Sequence, residues 1–162
     1  MSTLPNEGTQ FAGFIERNCR EIMAKLARRS DAQLNQPLPI PEANTLFAIA
    51  THAVGMAEFW TLVLVGGWAI PRDRASEFRA SGSGAALLAR YEKFISDAHS
   101  VLDALPASAM QQVVEPPPAF RSSGGFGSEP MTVRDCLLHV LEHTATHLGH
   151  IQLTCDLLDH QP

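Results

Sequence analysis

The residues of this chain best suited to chemistry are histidines, gathered in one stretch near its C-terminus. The segment Cys136–His150 contains His139, His143, His147 and His150, at spacings of three or four residues. Such spacings place side chains on one face of an α-helix. A helix that packs on a core is expected to present Leu and Val there, because imidazoles cost free energy to bury unless they are paired or coordinated. The pattern therefore predicts a metal-binding face.

The spacing limits which of these histidines share an ion. Side chains four residues apart lie about 5–6 Å from each other at Cβ, so two imidazoles reach one ion at about 2.0–2.1 Å. Residues eight apart are displaced by about 12 Å along the helix axis, which excludes His139 and His147 as joint ligands. The candidate pairs are therefore 139/143, 143/147 and 147/150. A third ligand must come from another helix.

His52 is the candidate for that third ligand. It is the titratable residue on the otherwise apolar face of an earlier predicted helix. A lone histidine on such a face is usually a core residue, but a His-x-x-x-His pair on a facing helix favours ligation. Two better-known motifs do not fit. Thr144 replaces the Glu of the zinc-protease pattern His-Glu-x-x-His, and the repeated Glu-x-x-His of di-iron bundles is missing from the sequence.

Four segments have the helical period that would position these residues. They cover residues 11–29, 44–65 with Asn44 as N-cap, 85–105, and 132–158. The last begins with a capping box formed by Thr132 and Asp135. Residues 68–84 are interpreted as a connection with room for a short helical turn. Residues 107–130 form a long loop, which in a compact domain is either disordered or part of a functional site.

The chain is therefore predicted to be all-α, a four-helix bundle in a single domain over residues 1–162, with no β-sheet and a long loop between its third and fourth helices. A net charge of −5 argues against a nucleic-acid partner, since such proteins need a basic face. No uninterrupted apolar run reaches 18 residues, and the N-terminus has no secretion signal, so neither a membrane span nor export is expected. Three widely spaced cysteines favour reduced thiols in the cytoplasm.

These motifs resemble the DinB-like family of four-helix, metal-binding proteins, and the resemblance covers most of the chain. Thr132-Val-Arg-Asp135, then His143-Thr-Ala-Thr-His147, then Leu148-Gly149-His150 follow the order of the family's final helix. The proline-rich residues 37–41 followed by His52 match its second element. The resemblance selects the 143/147 pair, and with it His52, as metal ligands. His150 departs from it, because Gln is more usual there.

The resemblance also implies an activity. Characterised relatives are S-transferases and isomerases that use low-molecular-weight thiols such as mycothiol or bacillithiol, hold a divalent metal on three protein ligands, and commonly form homodimers. The first expectation is thus a metal-dependent thiol S-transferase with a small-molecule substrate. The alternatives are a metal-dependent hydrolase with the same ligands and a non-catalytic metal-binding or stress-response protein. Zinc and nickel are the first metals expected, and iron the next. His139 and His150 keep open roles, as hydrogen-bonding partners or structural residues.

Overall fold

The structure is a computed structural model that describes residues 6–121 and 130–160, apart from the side chains of Ala119 and Arg121. The elements in chain order are α1 (Glu7–Leu26), α2 (Asp31–Leu34), α3 (Leu46–Glu58), a π-helical segment (Phe59–Val65), α4 (Arg74–Glu77), α5 (Gly84–Leu102), a 3₁₀ turn (Ala107–Gln111), β1 (Val113–Val114), α6 (Pro118–Arg121), β2 (Met131–Thr132) and α7 (Val133–Asp159). The fold is all-α, as predicted, and its long helices are α1, α3 with the π-helical segment, α5 and α7.

The first and last helices of the chain, α1 and α7, run parallel to each other. Glu7 pairs with Arg134 at their N-terminal ends, and Arg29, just beyond α1, pairs with Asp159 at the C-terminal end of α7. Between these ends, the Asn18 side-chain amide donates to residues of α7. The helices α1 and α7 are therefore neighbours in register along their whole length.

The other two long helices, α3 and α5, are also parallel neighbours. Gly82, just before α5, lies against Phe47 near the start of α3, while Val101 near the end of α5 lies against Gly66 at the end of the π-helical segment. The Tyr91 hydroxyl of α5 donates a hydrogen bond of 2.8 Å to the carbonyl of Ala50 in α3. Because α3 and α5 point the same way, the chain between them must return along the length of the bundle. That return, residues 66–83, passes the histidine site.

The core lies between the four long helices and takes its largest fully buried side chains from all of them. These include Ile15 and Ile22 of α1, Met56 of α3, Leu62 of the π-helical segment, Tyr91 and Phe94 of α5, and Leu137 of α7. All three cysteines, Cys19, Cys136 and Cys155, are free and buried in the core, as expected for reduced thiols. Burial raises the pKa of Cys19 and of Cys136 to about 12, which makes both thiols unreactive.

The helix ends correct several predicted boundaries. The N-cap of α3 is Thr45, not Asn44, because the Thr45 hydroxyl accepts from the Ala48 amide at 3.1 Å. The helix α1 begins earlier than predicted, where the Asn6 side chain caps it, and ends at Leu26 before the two arginines. The capping box of Thr132 and Asp135 is confirmed.

The second predicted helix changes its winding partway along. From Phe59 to Val65 the backbone is π-helical, and Gly67, with a φ of 72°, ends it in the left-handed region that glycine tolerates. By length and composition Leu46–Val65 could cross a membrane, with a mean hydropathy of 1.5 over its most apolar window. However, 72% of that window is buried inside the molecule, as in the core helix of a soluble protein.

The long stretch between α5 and α7 contains more structure than a loop. A two-stranded antiparallel ladder pairs Val113 with Thr132 and Val114 with Met131. The prediction that the chain has no β-sheet is therefore wrong at this position. The carbonyl of Gln112 also accepts from the Val133 amide at 2.9 Å. The ladder closes the stretch at its base and sets the starting point of α7. The glycine-rich part, with Phe126, lies outside the described residues.

Candidate metal site

His52, His143 and His147 converge between α3 and α7. The Nε2 atom of His143 lies 3.3 Å from Nε2 of His52 and 3.0 Å from Nε2 of His147. One ligand atom from each ring lies within 4.8 Å of the other two. His52 is buried at 4% exposure, and the two α7 histidines are partly buried. His52 faces both members of the i, i+4 pair, while Trp60 further along contacts His139, so α3 with its π-helical continuation runs opposite to α7.

The two α7 imidazoles are neutral at physiological pH. Burial lowers the pKa of His143 to about 4, and the neighbouring imidazoles of His139 and His52 act in the same direction. Burial likewise lowers the pKa of His147 to about 3, with His143 and His52 adding to the effect. A neutral imidazole keeps a lone pair on one nitrogen, which is the form that binds a metal.

A hydrogen bond fixes the orientation of the His52 ring. Its Nδ1 lies 2.8 Å from Oε2 of Glu77, while Nε2 faces the other two histidines. Burial alone would raise the pKa of Glu77, but hydrogen bonds with His52 and Arg72 outweigh it and hold that pKa below its ordinary value. Glu77 is therefore an ionised acceptor, so Nδ1 carries the proton and the lone pair is on Nε2. Phe78 stacks on a face of the His52 ring, with the two ring centroids 4.4 Å apart.

These three nitrogens fit a transition-metal ion. An ion with metal–nitrogen bonds of about 2.0–2.1 Å holds tetrahedrally arranged nitrogens about 3.3 Å apart. The observed spacings of 3.3 and 3.0 Å are close to that value. The all-nitrogen donor set and these two spacings therefore agree with one divalent ion.

A small recess opens beside the three nitrogens. It is lined by His52, Met56, Trp60, Arg72, Arg74, His139 and His143. His139 is buried and packs edge-on against Trp60, with the ring centroids 4.7 Å apart. Burial also lowers the pKa of His139, so it is neutral as well. The recess combines two guanidinium groups with an apolar wall.

A larger cavity of about 230 Å³ lies next to this recess. Its wall is formed by α3, the π-helical segment, the 66–83 connection and Arg90 of α5, and it shares Arg72 with the recess. Two ion pairs face it, Arg72–Glu77 and Arg90–Glu58. The guanidinium of Arg72 also lies over the rings of Phe59 and Phe120, 5.6 and 5.5 Å from their centroids.

The structure brings together the three histidines predicted from the sequence and separates the others. Of the pairs that spacing allowed, 143/147 converges with His52. His139 lies one turn away in the recess wall. His150 is exposed, with its Nδ1 3.4 Å from Nδ1 of His147. Phe120 lies against the ring of Phe59 beside Arg72, with the ring centroids of the two phenylalanines 4.3 Å apart.

The partners of His52 in the 66–83 connection were not predicted from the sequence. Arg72, Glu77 and Phe78 lie in a segment with no helical or strand period, so spacing did not relate them to any other residue. The one feature that could have indicated a buried partner was a glutamate in a segment otherwise rich in arginine, serine and glycine. The same composition is typical of an exposed connection, so it does not distinguish the two. Trp60 was also missed, because the change to π-helical winding alters which face it occupies.

Comparisons with known proteins agree with this architecture. The family model described as the DinB superfamily matches residues 15–151. A solved structure of a conserved protein from Enterococcus faecalis is similar, with a TM-score of 0.72 and 13% identity, over 96% of this chain and 99% of that chain. A DinB-like protein from Bacillus cereus gives a TM-score of 0.62 and 19% identity, over 88% of each chain. At such identities the likeness shows the fold alone. No curated protein matches the chain in sequence.

Proposed function

The chain belongs to the DinB superfamily, and we propose that it binds one divalent transition metal through His52, His143 and His147 and acts as a metal-dependent thiol S-transferase. The observation that carries the proposal is the convergence of three imidazole nitrogens beside an open recess. The family match supports metal binding in general. The activity and the substrate are those that the family resemblance implies, and the chemistry of the site supports them.

The number of ligands favours a catalytic site over a structural one. Within the described residues, the group of convergent ligand atoms has three members, all histidines. Structural zinc sites are normally closed by four protein ligands, whereas catalytic sites keep a position open. Cys136, on the same helix, is fully buried in the core and is not part of the group. The recess is therefore where an exchangeable ligand would enter.

The residues around the recess suit a small anion with an apolar part. When bound, a divalent ion on three neutral imidazoles supplies positive charge, which lowers the pKa of a thiol placed beside it. The guanidinium of Arg74 adds to that charge, whereas that of Arg72 is paired with Glu77, and Met56 and Trp60 provide an apolar contact surface. A low-molecular-weight thiol in its thiolate form matches both features. Zinc and nickel are the metals proposed, followed by iron, since all suit imidazole ligands.

The first experiment is elemental analysis of the protein purified without chelators, beside a His143→Ala variant. The wild-type chain is expected to hold about one zinc or nickel ion and the variant almost none, because His143 is the central ligand of the three. The metal-loaded protein is then assayed for conjugation of bacterial thiols to a model electrophile. Unchanged metal content in the variant would overturn the site, and absence of conjugation with every thiol would overturn the transferase.

A second function, hydrolysis, is favoured by one observation. His139 is buried and lines the same recess, and its lowered pKa leaves it neutral and able to accept a proton from water. A hydrolase should turn over activated esters or amides without added thiol and lose that activity in a His139→Phe variant. A transferase should need the thiol and keep much of its activity in the same variant.

We also propose that residues 1–162 form a single domain, and that the protein acts in the cytoplasm as a homodimer on a small molecule, rather than on nucleic acid or a membrane. The buried, free cysteines and the net charge of −5 support the compartment and the absence of a polyanionic partner. Light scattering coupled to gel filtration tests the dimer, for which twice the mass of one chain is expected.

A further inference from the structure

The Arg72–Glu77 ion pair is buried directly behind His52. The side chains of Arg72 and Glu77 are each 7% exposed. Arg72 donates from Nε to Oε1 at 2.7 Å and from Nη2 to Oε2 at 2.9 Å, which makes the pair bidentate. The Oε2 atom that receives the second bond also lies 2.8 Å from Nδ1 of His52. One carboxylate therefore joins a guanidinium to an imidazole.

A pair in this position is poorly explained by stability alone. Burying two charges costs desolvation free energy, and apolar replacements of similar volume often leave stability equal or higher. The same cavity wall contains a second pair, Arg90–Glu58, in which the side chain of Arg90 is 39% exposed. That pair is bidentate as well, but its recorded bonds join α3 to α5 without contacting a histidine. The two pairs differ in burial and in what the carboxylate contacts.

We propose that Glu77 is a positioning residue for the metal site, and that Arg72 in turn positions Glu77. This inference rests on the proposed function, because it assigns the part of the site that lies behind the ligands. By accepting from Nδ1, Glu77 keeps the proton on that nitrogen and the lone pair on Nε2, directed at His143. Arg72 occupies both carboxylate oxygens, so Glu77 cannot rotate away from the ring. Phe78, the next residue, holds the ring plane by stacking.

The arrangement makes metal binding depend on the 66–83 connection as well as on the bundle. His143 and His147 come from one rigid helix, but His52 receives its orientation from residues of α4 and the turn before it. Outer partners of ligating histidines typically contribute about 10–100-fold to metal affinity. Loss of this contact should therefore weaken metal binding while the helices stay folded.

The test measures zinc affinity by competition with a chromophoric chelator for three variants. Glu77→Gln keeps an amide oxygen for His52 and is expected to weaken binding about tenfold. The double variant Arg72→Met, Glu77→Leu removes the acceptor without leaving a buried unpaired charge, so it should stay folded and weaken binding toward 100-fold. Glu58→Gln is the matched control, since it changes the other pair of the cavity, and it should bind zinc within about twofold of wild type.

A second readout uses the metal-free protein and does not depend on activity. In ¹H–¹⁵N spectra of the ring nitrogens, wild-type His52 should show a protected Nδ1–H, and the double variant should lose that signal. If the wild-type chain binds no zinc, the proposed function fails, while the ring spectra still decide the role of Glu77. Zinc affinity in the folded double variant within about threefold of wild type, or a persistent Nδ1–H signal there, would overturn the inference.

Discussion

Two glycines allow the rigidity of the His52 environment to be tested with a single methyl group. Gly55 lies in α3 and Gly149 in α7, so either substitution to Ala adds one Cβ to a helix of the bundle. At Gly149 the added atom meets nothing within 4 Å. At Gly55 it would lie 2.5 Å from Oε1 of Glu77 and 3.3 Å from Nη2 of Arg90. Both substitutions replace Gly by Ala within a helix, so the gain in helix propensity is the same. They differ in that the new Cβ meets open space at Gly149 and a carboxylate oxygen at Gly55.

The expected magnitudes follow from these contacts. In an open helical site, Gly→Ala stabilises by about 0.5–1 kcal/mol, and Gly149→Ala should do so. At Gly55, an ordinary carbon–oxygen contact needs about 3.3 Å, so the Glu77 oxygen must retreat by about 0.8 Å. A free glutamate would move at little cost, but this one is held by Arg72 and His52. Losing one hydrogen bond to a charged group costs about 1.5–3 kcal/mol, and after the gain of about 0.5–1 kcal/mol in helix propensity Gly55→Ala is expected to be destabilised by about 0.5–2.5 kcal/mol.

Urea denaturation and zinc titration of both variants check this prediction. Gly149→Ala should raise the free energy of unfolding and bind zinc as the wild type does, although it lies two residues from His147. Gly55→Ala should lower the free energy of unfolding and weaken zinc binding, although the added Cβ lies closest to Glu77 and Arg90 and not to a proposed ligand. If Gly55→Ala were as stable as Gly149→Ala and kept wild-type zinc affinity, the carboxylate would not be rigidly held, and the reasoning that links it to His52 would be refuted.

Two further predictions concern the packing of α1 against α5. His99 has a raised pKa, chiefly through its hydrogen bond to Asp103, with a further contribution from Glu16. Its contribution to stability should be complete below the ordinary histidine pKa of 6.5 and be lost as the pH rises through the raised value. The free energy of unfolding by urea should therefore fall as the pH rises above 6.5, and His99→Gln should flatten that decline; an equal slope in both proteins would contradict the assignment. Gly8→Ala should destabilise by about 1–3 kcal/mol, because its Cβ would clash with the backbone carbonyl oxygen of Leu102 in α5. Gly13→Ala has open space around it and should stabilise by about 0.5–1 kcal/mol, and thermal melts of the two variants check both signs.

The regular parts of the fold were predictable because they carry local signals. The long helices follow from the 3.6-residue period of apolar positions, and the start of α7 follows from the capping box of Thr132 and Asp135. The convergence of His143 and His147 follows from helix geometry, since the spacing of i and i+4 is fixed wherever the helix lies. The N-cap of α3 was displaced by one residue because Asn44 and Thr45 are both good caps.

The less predictable parts depend on the order and direction of the helices. Because α3 and α5 are parallel neighbours, the chain between them must travel the length of the bundle, and that path places Glu77 beside His52. Nothing in the spacing of residues 66–83 records which helix they will run against, so the carboxylate that orients the ligand has no local sequence signature. In this fold, the metal ligands lie on helices that the period of apolar residues predicts. The carboxylate that orients one of those ligands lies on a connection, and the position of that connection depends on the order and direction of the helices. At such sites, the helix face provides the ligating histidines but not the acceptors that orient them. Those acceptors are therefore expected in the connections between parallel helices, as buried pairs of an acidic and a basic residue.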